Sequence, residues 1–546
     1  MLKKTLYFFI IQLVFALPTF AQLASYDEVI EGDINSDLTL TASKKYLLRG
    51  FVNVNAPASI TIPAGTIIYG EKESKGSLII NRGAKIFAEG TKEKPIVFTS
   101  QMMPGQRGAG DWGGIIIVGN ATLNVPGGTA TIEGGTGTVM GGGTSPNDDE
   151  SSGIIKYIRI EFPGIAFLPD NEINGLTMGG VGRNTVIDYV QVSYSGDDSF
   201  EWFGGTVNAK HLISYYPVDD NFDTDFGFTG KVQFAMSFAN PNMADISGSN
   251  GFESDNDGSG TLNSPRTQPL FSNVTVVGPL VTPDFTGFNS NYKRAAHLRR
   301  STLTSIYNSI IMGYPTGLYI QSQNSANDAI AGNLQIQNTI IAGSQSGKLL
   351  TTDVSGFDIA SWFNNSNNNN RTFATSAEVG LTDPFKLDSP DATPQSGSVA
   401  LVGASFTNSR LLDPFFTPTT FVGALDANER WDLGWANYDP QNTDYTITDV
   451  EEKLIGNIPS DFSLSQNYPN PFNPSTKIKF SIPEAGHIKI SIFNLLGEEV
   501  DILFDGFKNA GVYEINWTAN NLSSGIYFYI LQSNSATLIK KMSLLR

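Results

Sequence analysis

A 22-residue repeat lies near the middle of the chain. Asp197-Asp198-Ser199-Phe200-Glu201 recurs one repeat later as Asp219-Asp220-Asn221-Phe222-Asp223. A period of this length, in a stretch rich in β-branched and aromatic residues, is typical of a solenoid in which each repeat forms one coil. Neighbouring coils stack at the inter-strand spacing of about 4.8 Å. The repeat therefore predicts that equivalent residues of the two copies lie one above the other.

Alternation within each copy separates two kinds of side chain. Successive side chains of a β-strand point to opposite sides, so Phe200 and Phe222 are predicted to stack inside the coil. The carboxylates are predicted to stack on the outside, as Glu201 does over Asp223. The repeat thus predicts an aromatic interior and a surface ladder of carboxylates.

Composition favours an all-β chain with many turns. The 546 residues include 55 glycines, and no long stretch has helical periodicity. The net charge of −18 argues against nucleic acid as a partner, because binding phosphates requires a basic surface. The absence of cysteine excludes disulfides, thiol catalysis and cysteine-ligated metals, and three histidines leave little scope for a histidine-based metal site.

Apolar triplets recur at a shorter spacing in the first part of the chain. Ile60-Thr61-Ile62, Leu78-Ile79-Ile80 and Ile96-Val97-Phe98 follow one another at an 18-residue spacing, and Ile115-Ile116-Ile117 comes next at a nearly equal distance. Turns that contain glycine separate the triplets. We expect coils of this length, which suit a parallel β-helix.

This region resembles a family of secreted β-helix proteins from Bacteroidetes-type bacteria. The resemblance rests on the 22-residue repeat and on the stretches GTIIYG, LIINRGAKIFAEGTKEKPIVFTS, GDWGGIIIVGNA, SGIIKYIRIEFPG and NEINGLTMGGVG, and covers roughly residues 45–435. It implies a β-helix fold rather than a particular activity.

Later coils carry a second pattern. Strands at 273–278, 308–313 and 338–343 each begin with Asn and end with Gly. We expect the three asparagines to stack and to exchange side-chain hydrogen bonds along the solenoid. Residues 421–435, FVGALDANERWDLGW, are expected to cap the end of the stack.

The N-terminus is predicted to direct export. Lys3 and Lys4 precede the apolar run LYFFIIQLVFAL, and Ala21 is a small residue suited to cleavage, so residues 1–21 are predicted to be a secretory signal peptide. No other segment has about 18 consecutive apolar residues, so no transmembrane span is expected in the mature chain.

The C-terminal residues have the alternating strands of an immunoglobulin-like sandwich. Their motifs YPNPFNP (468–474), NLLG (494–497) and SGIY (524–527), with the basic pair Lys540-Lys541, closely resemble the C-terminal sorting domain of type IX secretion cargo. The resemblance implies that the type IX secretion machinery recognises residues 461–546. It also implies that the protein is secreted or attached to the cell surface at the outer membrane.

The predicted fold class is all-β: a right-handed parallel β-helix, or solenoid, followed by a small immunoglobulin-like β-sandwich. The predicted order of segments is a signal peptide (1–21), the parallel β-helix domain (22–440), a linker (441–460) and the type IX sorting domain (461–546).

Ten acidic residues are the candidate metal ligands. Like charges stacked about 5 Å apart repel by roughly 0.8 kcal/mol per pair even in water, and by more when desolvated. A bound Ca²⁺ would relieve this repulsion through its many oxygen ligands, while Lys210, Lys231 or solvation of an exposed acidic ridge are alternatives. The candidate ligands are Asp197, Asp198, Glu201, Asp219, Asp220, Asp223, Asp225, Glu253, Asp255 and Asp257.

The last three of these ligands belong to a separate pattern. Residues 253–258, ESDNDG, resemble the start of a calcium loop. Ser264 stands where an EF-hand would have its bidentate Glu, so a complete EF-hand is excluded. Either a partial calcium turn or an ordinary Asp/Asn/Gly turn fits the segment.

Motifs for catalysis are not evident. Gly108-Ala109-Gly110-Asp111-Trp112-Gly113 matches GxGxxG by letter, but a strand rather than a helix follows it, so the dinucleotide interpretation fails. Some parallel β-helices cleave acidic polysaccharides with calcium and a basic residue. Lys210, Arg294, Arg299 and Arg300 are candidates for that base, and no spacing distinguishes them.

Two functions remain open from the sequence. The first is a binding or structural surface protein that contacts calcium and a glycan or another cell-surface ligand. The second is an extracellular polysaccharide lyase or glycoside hydrolase on the same fold. A basic side chain beside calcium in a loop-walled groove would favour the enzyme, and a flat acidic face would favour the binding protein.

Overall fold

The computed structural model describes residues 23–168, 171–445, 459, 461–483, 486–508, 510–519, 522–533 and 535–545. The predicted signal peptide and most of the predicted linker lie outside the described residues. The described chain is almost entirely β-structure, which confirms the predicted all-β class. It consists of a long parallel β-helix followed by a small antiparallel unit.

Parallel pairing builds the β-helix. Among the described residues, twenty-six strands belong to this parallel system. Three short antiparallel hairpins, β10–β11, β13–β14 and β31–β32, accompany it. The first strands are β1 Glu28–Ile34, β2 Leu38–Thr39, β3 Lys45–Val54, β4 Ser59–Pro63, β5 Ile67–Gly70, β6 Ser77–Ile80, β7 Lys85–Glu89, β8 Ile96–Ser100, β9 Gly114–Val118, β10 Ala130–Thr131, β11 Val139–Met140, β12 Gly153–Glu161, β13 Ala166–Leu168, β14 Asn171–Glu172, β15 Leu176–Gly179 and β16 Val186–Ser193.

The remaining elements of this unit continue the coils. The strands are β17 Phe200–Phe203, β18 Asn208–Tyr215, β19 Phe222–Asp225, β20 Lys231–Phe238, β21 Phe252–Ser254, β22 Leu270–Val277, β23 Arg294–Leu298, β24 Ser305–Tyr307, β25 Ile310–Met312, β26 Thr316–Ile320, β27 Ile336–Gln337, β28 Ile340–Ala342, β29 Leu350–Thr352, β30 Arg371–Phe373, β31 Leu381–Asp383 and β32 Asp391–Pro394. The helices are α1 Gln323–Ala331 and α2 Ile359–Phe363, with 3₁₀ turns at Pro126–Gly128, Ser376–Val379, Val399–Leu401 and Ser409–Leu411.

Each coil supplies strands to three faces. Face A stacks β4, β7 and the first half of β12. Face B stacks β5, β8 and the second half of β12. Face C stacks β6, β9, β15, β17, β19, β21, β23, β26 and β29 in that order. Face C carries the candidate site.

The register confirms the stacking of the 22-residue repeat. Phe200 pairs with Phe222 and Glu201 pairs with Asp223 across β17 and β19. The phenylalanine rings stack inside with centroids 5.9 Å apart, and both side chains are fully buried. Full burial of one such side chain stabilises the fold by about 1.5–3 kcal/mol.

The expected 18-residue coils are wrong. Ile60 stacks on Ile86 on face A, and Leu78 stacks on Ile115 on face C, so each coil is longer than the spacing of the triplets. The apolar triplets at 60–62, 78–80 and 96–98 lie on different faces. Their even spacing reflects the distances between strands of different faces rather than the length of a coil.

A corner with left-handed backbone separates face A from face B. Eight successive corner residues have φ between 50° and 61°: Tyr157, Tyr189, His211, Phe234, Asn273, Asn308, Asn338 and Asn369. Asparagine tolerates this conformation better than most residues. The three predicted asparagines occupy successive corners, but the predicted exchange of hydrogen bonds between them is wrong, because none joins their side chains among the described residues. Asn308 accepts from the Ser405 amide at 2.8 Å, and Asn338 accepts from Asn369 of the following coil at 3.1 Å.

Residues 405–445, here called the strap, run back along the outside of the β-helix, first over face A, where Leu411 and Phe416 pack with Tyr307, and then over face B. Hydrogen bonds join Asn437 to Gln191 at 2.8 Å and Tyr445 to Glu161 at 2.7 Å. The expectation that 421–435 caps the end is therefore wrong. Face B needs this cover because its outward row is apolar, as Met236 and Ile310 illustrate.

The final coils are closed by α2 instead. Ile359 and Phe363 of this helix are buried in the main apolar core of the β-helix. The side chain of Asp358 accepts a hydrogen bond from the Ser361 amide at 2.9 Å and so caps the helix N-terminus.

The C-terminal unit has its own core, as predicted for a small sandwich. Its strands are β33 Ser463–Leu464, β34 Ser475–Ile482, β35 Gly486–Phe493, β36 Glu499–Lys508, β37 Gly511–Thr518, β38 Gly525–Ser533 and β39 Thr537–Leu544. They form a three-stranded sheet, β33-β34-β37, and a four-stranded sheet, β36-β35-β38-β39. Apolar side chains of both sheets, such as Ile478 and Tyr529, share one buried cluster.

Candidate metal centre

One outward row of face C carries most of the candidate chemistry. Because parallel strands stack residue upon residue, equivalent positions form a line along the solenoid. The row runs through Thr177, Glu201, Asp223, Glu253, His297 and Tyr319. The line therefore changes from acidic to basic and aromatic within a few coils.

A second row occupies the turn before each strand of face C. The Asn174 side chain accepts a hydrogen bond from the Asp198 amide at 3.2 Å, and Asp198 accepts from the Asp220 amide at 2.8 Å. Asp220 in turn accepts from the amide of Asn250. Each side chain thus holds the turn of the next coil, and this ladder fixes the positions of Asp198 and Asp220.

The two rows bring seven of the ten predicted ligands together. These seven residues form three overlapping groups, and within each group the carboxylate oxygens lie within 4.8 Å of one another. The groups are Asp197, Asp198 and Asp219; Asp198, Glu201 and Asp223; and Asp220, Asp223 and Glu253. Asp198 and Asp223 each belong to two groups, so the three form one continuous cluster.

The cluster is buried or half-buried rather than an exposed, solvated ridge: Asp198, Glu201 and Asp220 are buried, and the other four members are half-buried. Glu201 is 5% exposed and Asp220 is 4% exposed. The loop around β10 and β11 contributes to this cover, because Ile132 and Met140 pack against Phe203, two positions beyond Glu201. The outward direction of the carboxylates was predicted correctly, but their open solvation was not.

Burial raises the pKa values of the cluster. Burial first, and neighbouring carboxylates second, raise the pKa of Asp197, Asp198, Glu201, Asp220 and Asp223 well above the usual range. Burial also raises the pKa of Asp219 to about 7, although Ser247 donates a hydrogen bond to it at 2.8 Å. The protein environment therefore disfavours the ionised form of these six groups.

Cationic partners are missing for those six carboxylates. Within the described part of the chain, no Lys, Arg or His nitrogen lies within 4 Å of them. The alternative that Lys210 or Lys231 relieves the repulsion does not hold, because Lys231 pairs with Asp413 at 2.8 Å and Lys210 contacts Thr417 at 3.0 Å. Both lysines lie on face A.

Glu253 marks the boundary of the acidic part. It contacts Arg299, and His297 lies 3.3 Å from its carboxylate. Burial opposes ionisation of Glu253, but the His297 hydrogen bond and the Arg299 charge outweigh it, so the pKa of Glu253 is lowered. The surroundings of Glu253 thus favour its ionised form, in contrast to the six carboxylates above.

The structure does not bring Asp225, Asp255 and Asp257 into the cluster. Asp255 contacts Arg299 and Arg300, both at 2.8 Å. Asp257 accepts hydrogen bonds from backbone amides of its own turn, among them the Ser259 amide at 2.9 Å. Asp225 accepts from the next amide at 2.6 Å, and burial raises its pKa to about 7.

Sequence reasoning missed several polar neighbours of the cluster. Asn174 and Asn250 hold its turns, and burial together with Glu172 raises the pKa of Glu133 to about 7. A signal for the asparagines exists, since each stands two positions before an inward apolar residue, just as Asp198 stands before Phe200. Glu133 had no such signal because it lies on a loop hairpin outside the coils.

Basic residues border the cluster on the C-terminal side. The Arg294 guanidinium lies over the Tyr319 ring, 4.8 Å from its centroid, and burial lowers the pKa of Arg294. A cavity of about 240 Å³ adjoins this side and is lined by Arg299, Arg300, Gln321, Ser322 and Asp353. An anionic ligand on face C would therefore meet positive charge next to the carboxylates.

Comparisons with known proteins agree with both units. A family model described as a pectate-lyase-like beta helix domain matches residues 32–382, and one described as a secretion system C-terminal sorting domain matches residues 466–544. No curated protein and no solved structure is significantly similar to the chain.

The second match confirms the predicted route of export. A C-terminal sorting domain directs type IX secretion or attachment to the cell surface. In the described residues, no helix has the length and apolar character needed to span a membrane. The first match extends over well more than half of the chain, and the chain belongs to the family of pectate-lyase-like β-helix domains.

Proposed function

We propose that this secreted β-helix binds calcium on face C and, with calcium in place, binds an acidic polysaccharide. One observation carries the proposal: six carboxylates have no cationic partner among the described residues. They belong to the three groups in which the carboxylate oxygens lie within 4.8 Å of one another. Buried charges in proteins are normally paired or bound to metal. A divalent cation would replace the protons that burial otherwise imposes on these groups.

The donor set fits calcium better than other metals. All candidate ligands are carboxylate oxygens, which hard cations prefer. Calcium accepts about six to eight oxygens in irregular geometry, whereas magnesium demands a near-ideal octahedron. Asp198 and Asp223 would hold the ion, because each of them belongs to two of the three groups.

An acidic polysaccharide fits the charges beside the cluster. Calcium exposes coordination positions that a sugar carboxylate can fill. Arg294 and Arg300 border the cluster, and charge complementarity favours an anionic ligand over a neutral one. The β10–β11 loop packs beside Glu201, so the site has a wall on its other side.

Thermal unfolding of the full chain with calcium or with chelator tests the metal site. A site that binds only the folded state adds about 2.7 kcal/mol at 100-fold excess over its dissociation constant. We expect a clear rise in Tm with calcium and a smaller one with magnesium. No shift at millimolar calcium would refute the metal site, and equal retention on acidic and neutral polysaccharide beads would refute the choice of ligand.

A second candidate function is polysaccharide cleavage by β-elimination. The observation in its favour is Arg294, which forms no ion pair with a carboxylate among the described residues and whose pKa burial lowers. A lowered pKa makes the neutral form of the guanidine more available, and only that form can accept the proton next to the sugar carboxylate. Arg299 is less suited, because Glu253 and Asp255 hold its guanidinium.

Absorbance of the unsaturated product distinguishes the two functions. If the protein is a lyase, the wild type releases this product from an acidic polysaccharide and Arg294→Ala does not. Arg300→Ala serves as the control, since it removes a nearby positive charge that binds Asp255. Calcium-dependent retention without any product identifies a binding protein.

A further inference from the structure

The C-terminal unit has an apolar end that its core does not explain. The four-stranded sheet β36-β35-β38-β39 brings three chain segments to the same end. These are the turn between β35 and β36, the start of β38, and the end of β39, where Gly525 pairs with Leu544. Large apolar side chains are exposed there: Leu495 (66%), Leu496 (82%), Ile526 (37%) and Leu545 (57%).

The turn that carries two of these leucines is held in one conformation. Asn494 accepts hydrogen bonds from the amides of Leu496 at 2.9 Å and Glu498 at 3.0 Å. Its amide group donates to the Glu498 carboxylate at 2.7 Å. Gly497 adopts φ of 80°, which a residue with a side chain rarely does. The ordered backbone of the turn therefore presents both leucines to solvent.

The motifs that resemble sorting domains meet at this end. Residues 494–497 form the turn and 524–527 begin β38. Phe472, from the 468–474 motif, donates to the Ser543 carbonyl at 3.0 Å and accepts from the Leu545 amide at 2.9 Å. Three stretches that are distant in sequence thus build one surface.

We propose that this apolar end is the surface by which the type IX secretion machinery captures the protein, through an apolar cleft in its receptor. Exposed apolar groups held rigidly lose little conformational entropy on binding and gain free energy when they are desolvated. The partner follows from the identity of the unit as a sorting domain, and the inference does not depend on calcium or on face C.

The test is secretion of the full-length chain by a type IX-competent bacterium. We expect the double variant Leu495→Ser/Leu496→Ser to stay inside the cells, with secreted protein reduced at least about tenfold, as a loss of about 1.4 kcal/mol in capture implies. Ile539→Ser is the matched control, because Ile539 has similar exposure (57%) in the middle of β39. It should be secreted within twofold of wild type.

Protease resistance of the C-terminal unit in the retained protein verifies that the variant folds. Normal secretion of the double variant would overturn the proposal, as would equal retention of the Ile539→Ser control. A wild-type dimer that the double variant abolishes without any loss of secretion would assign the surface to a second copy of the chain, which also overturns it.

Discussion

Glu201 lies directly over Asp223 in neighbouring parallel strands, and both share Asp198 as a neighbour within 4.8 Å. The stacking follows from the 22-residue repeat, because a coil of constant length places equivalent carboxylates in register. In a parallel ladder, repetition of an acidic residue therefore concentrates charge in a line. On face C this line is partly shielded from solvent.

Asp223→Asn should separate metal binding from intrinsic stability. In chelator at pH 8 the variant should unfold at a higher temperature than wild type, because it removes a half-buried carboxylate whose pKa is raised. In calcium it should gain much less than wild type, because Asp223 belongs to two of the three groups. Thermal unfolding under both conditions measures the two effects.

Asp225→Asn is the matched control for that experiment. Asp225 lies on the same strand and points to the same side, but it is outside the carboxylate groups. Its calcium-dependent shift should remain close to that of wild type. Equal loss of the calcium shift in both variants would contradict the assignment of Asp223 as a ligand.

Stability without calcium should fall as pH rises. Burial raises the pKa of Asp219 and Asp225 to about 7, above the usual 3.8. Between those values the folded state holds protons that the unfolded state has released, so each such group costs about 1.4 kcal/mol per pH unit. Tm in chelator should therefore drop from pH 5 to pH 7, and calcium should reduce the drop. A Tm in chelator that rises over this interval would contradict the raised pKa values.

Phe222→Ala should destabilise the β-helix strongly. Phe222 is fully buried, and its ring lies 5.9 Å from that of Phe200 and 5.4 Å from that of Phe252. Truncation of a buried Phe costs about 3–5 kcal/mol. Denaturant unfolding measures the loss, and Ile246→Ala, at a position 89% exposed, should change the free energy of unfolding by less than about 0.5 kcal/mol.

Trp435→Ala should loosen the strap. Trp435 is buried, and its ring meets those of Tyr157 and Tyr189 edge-on, at 5.9 Å in both cases. The strands beneath are paired independently of this contact, so the effect should be local. Hydrogen exchange should accelerate in residues 405–445, and Leu433→Ala, at an exposed position of the strap, should leave it unchanged. Uniform acceleration across the β-helix would contradict a local role.

Sequence periodicity predicted the fold where coil length is constant. The stretch from Asp197 to Asp223 could be placed in register because the two copies of the 22-residue repeat follow each other without an insertion. The next coil contains an inserted loop, so Phe222 pairs with Phe252. An unbroken 22-residue repeat would have paired Phe222 with Ala244 instead. In the first part the 18-residue spacing misled for another reason, because it measured the distance between strands of different faces rather than the length of a coil.

The burial and the ion pairs of the candidate ligands were harder to predict from the sequence than their positions along the coils. The letters of 253–258 fit a calcium loop, but Arg299 and Arg300 arrive from a later coil, just beyond β23, and pair with Asp255. The burial of Glu201 depends in part on the β10–β11 hairpin loop, which lies several strands earlier in the chain. Contacts between residues so far apart in sequence leave no local pattern.

Ala24 and Tyr445 pack in the same small cluster, against Leu47 and Val97 of the first coils. The chain therefore enters and leaves the solenoid at one pole. Any tether or surface group joined beyond residue 445 is attached at that pole. Along face C, five strand steps separate β3, at that pole, from β19. At about 4.8 Å per step, the carboxylates of β19 lie about 24 Å from the pole along the axis of the solenoid. On a cell surface this geometry would hold the ligand-binding coils clear of the point of anchorage.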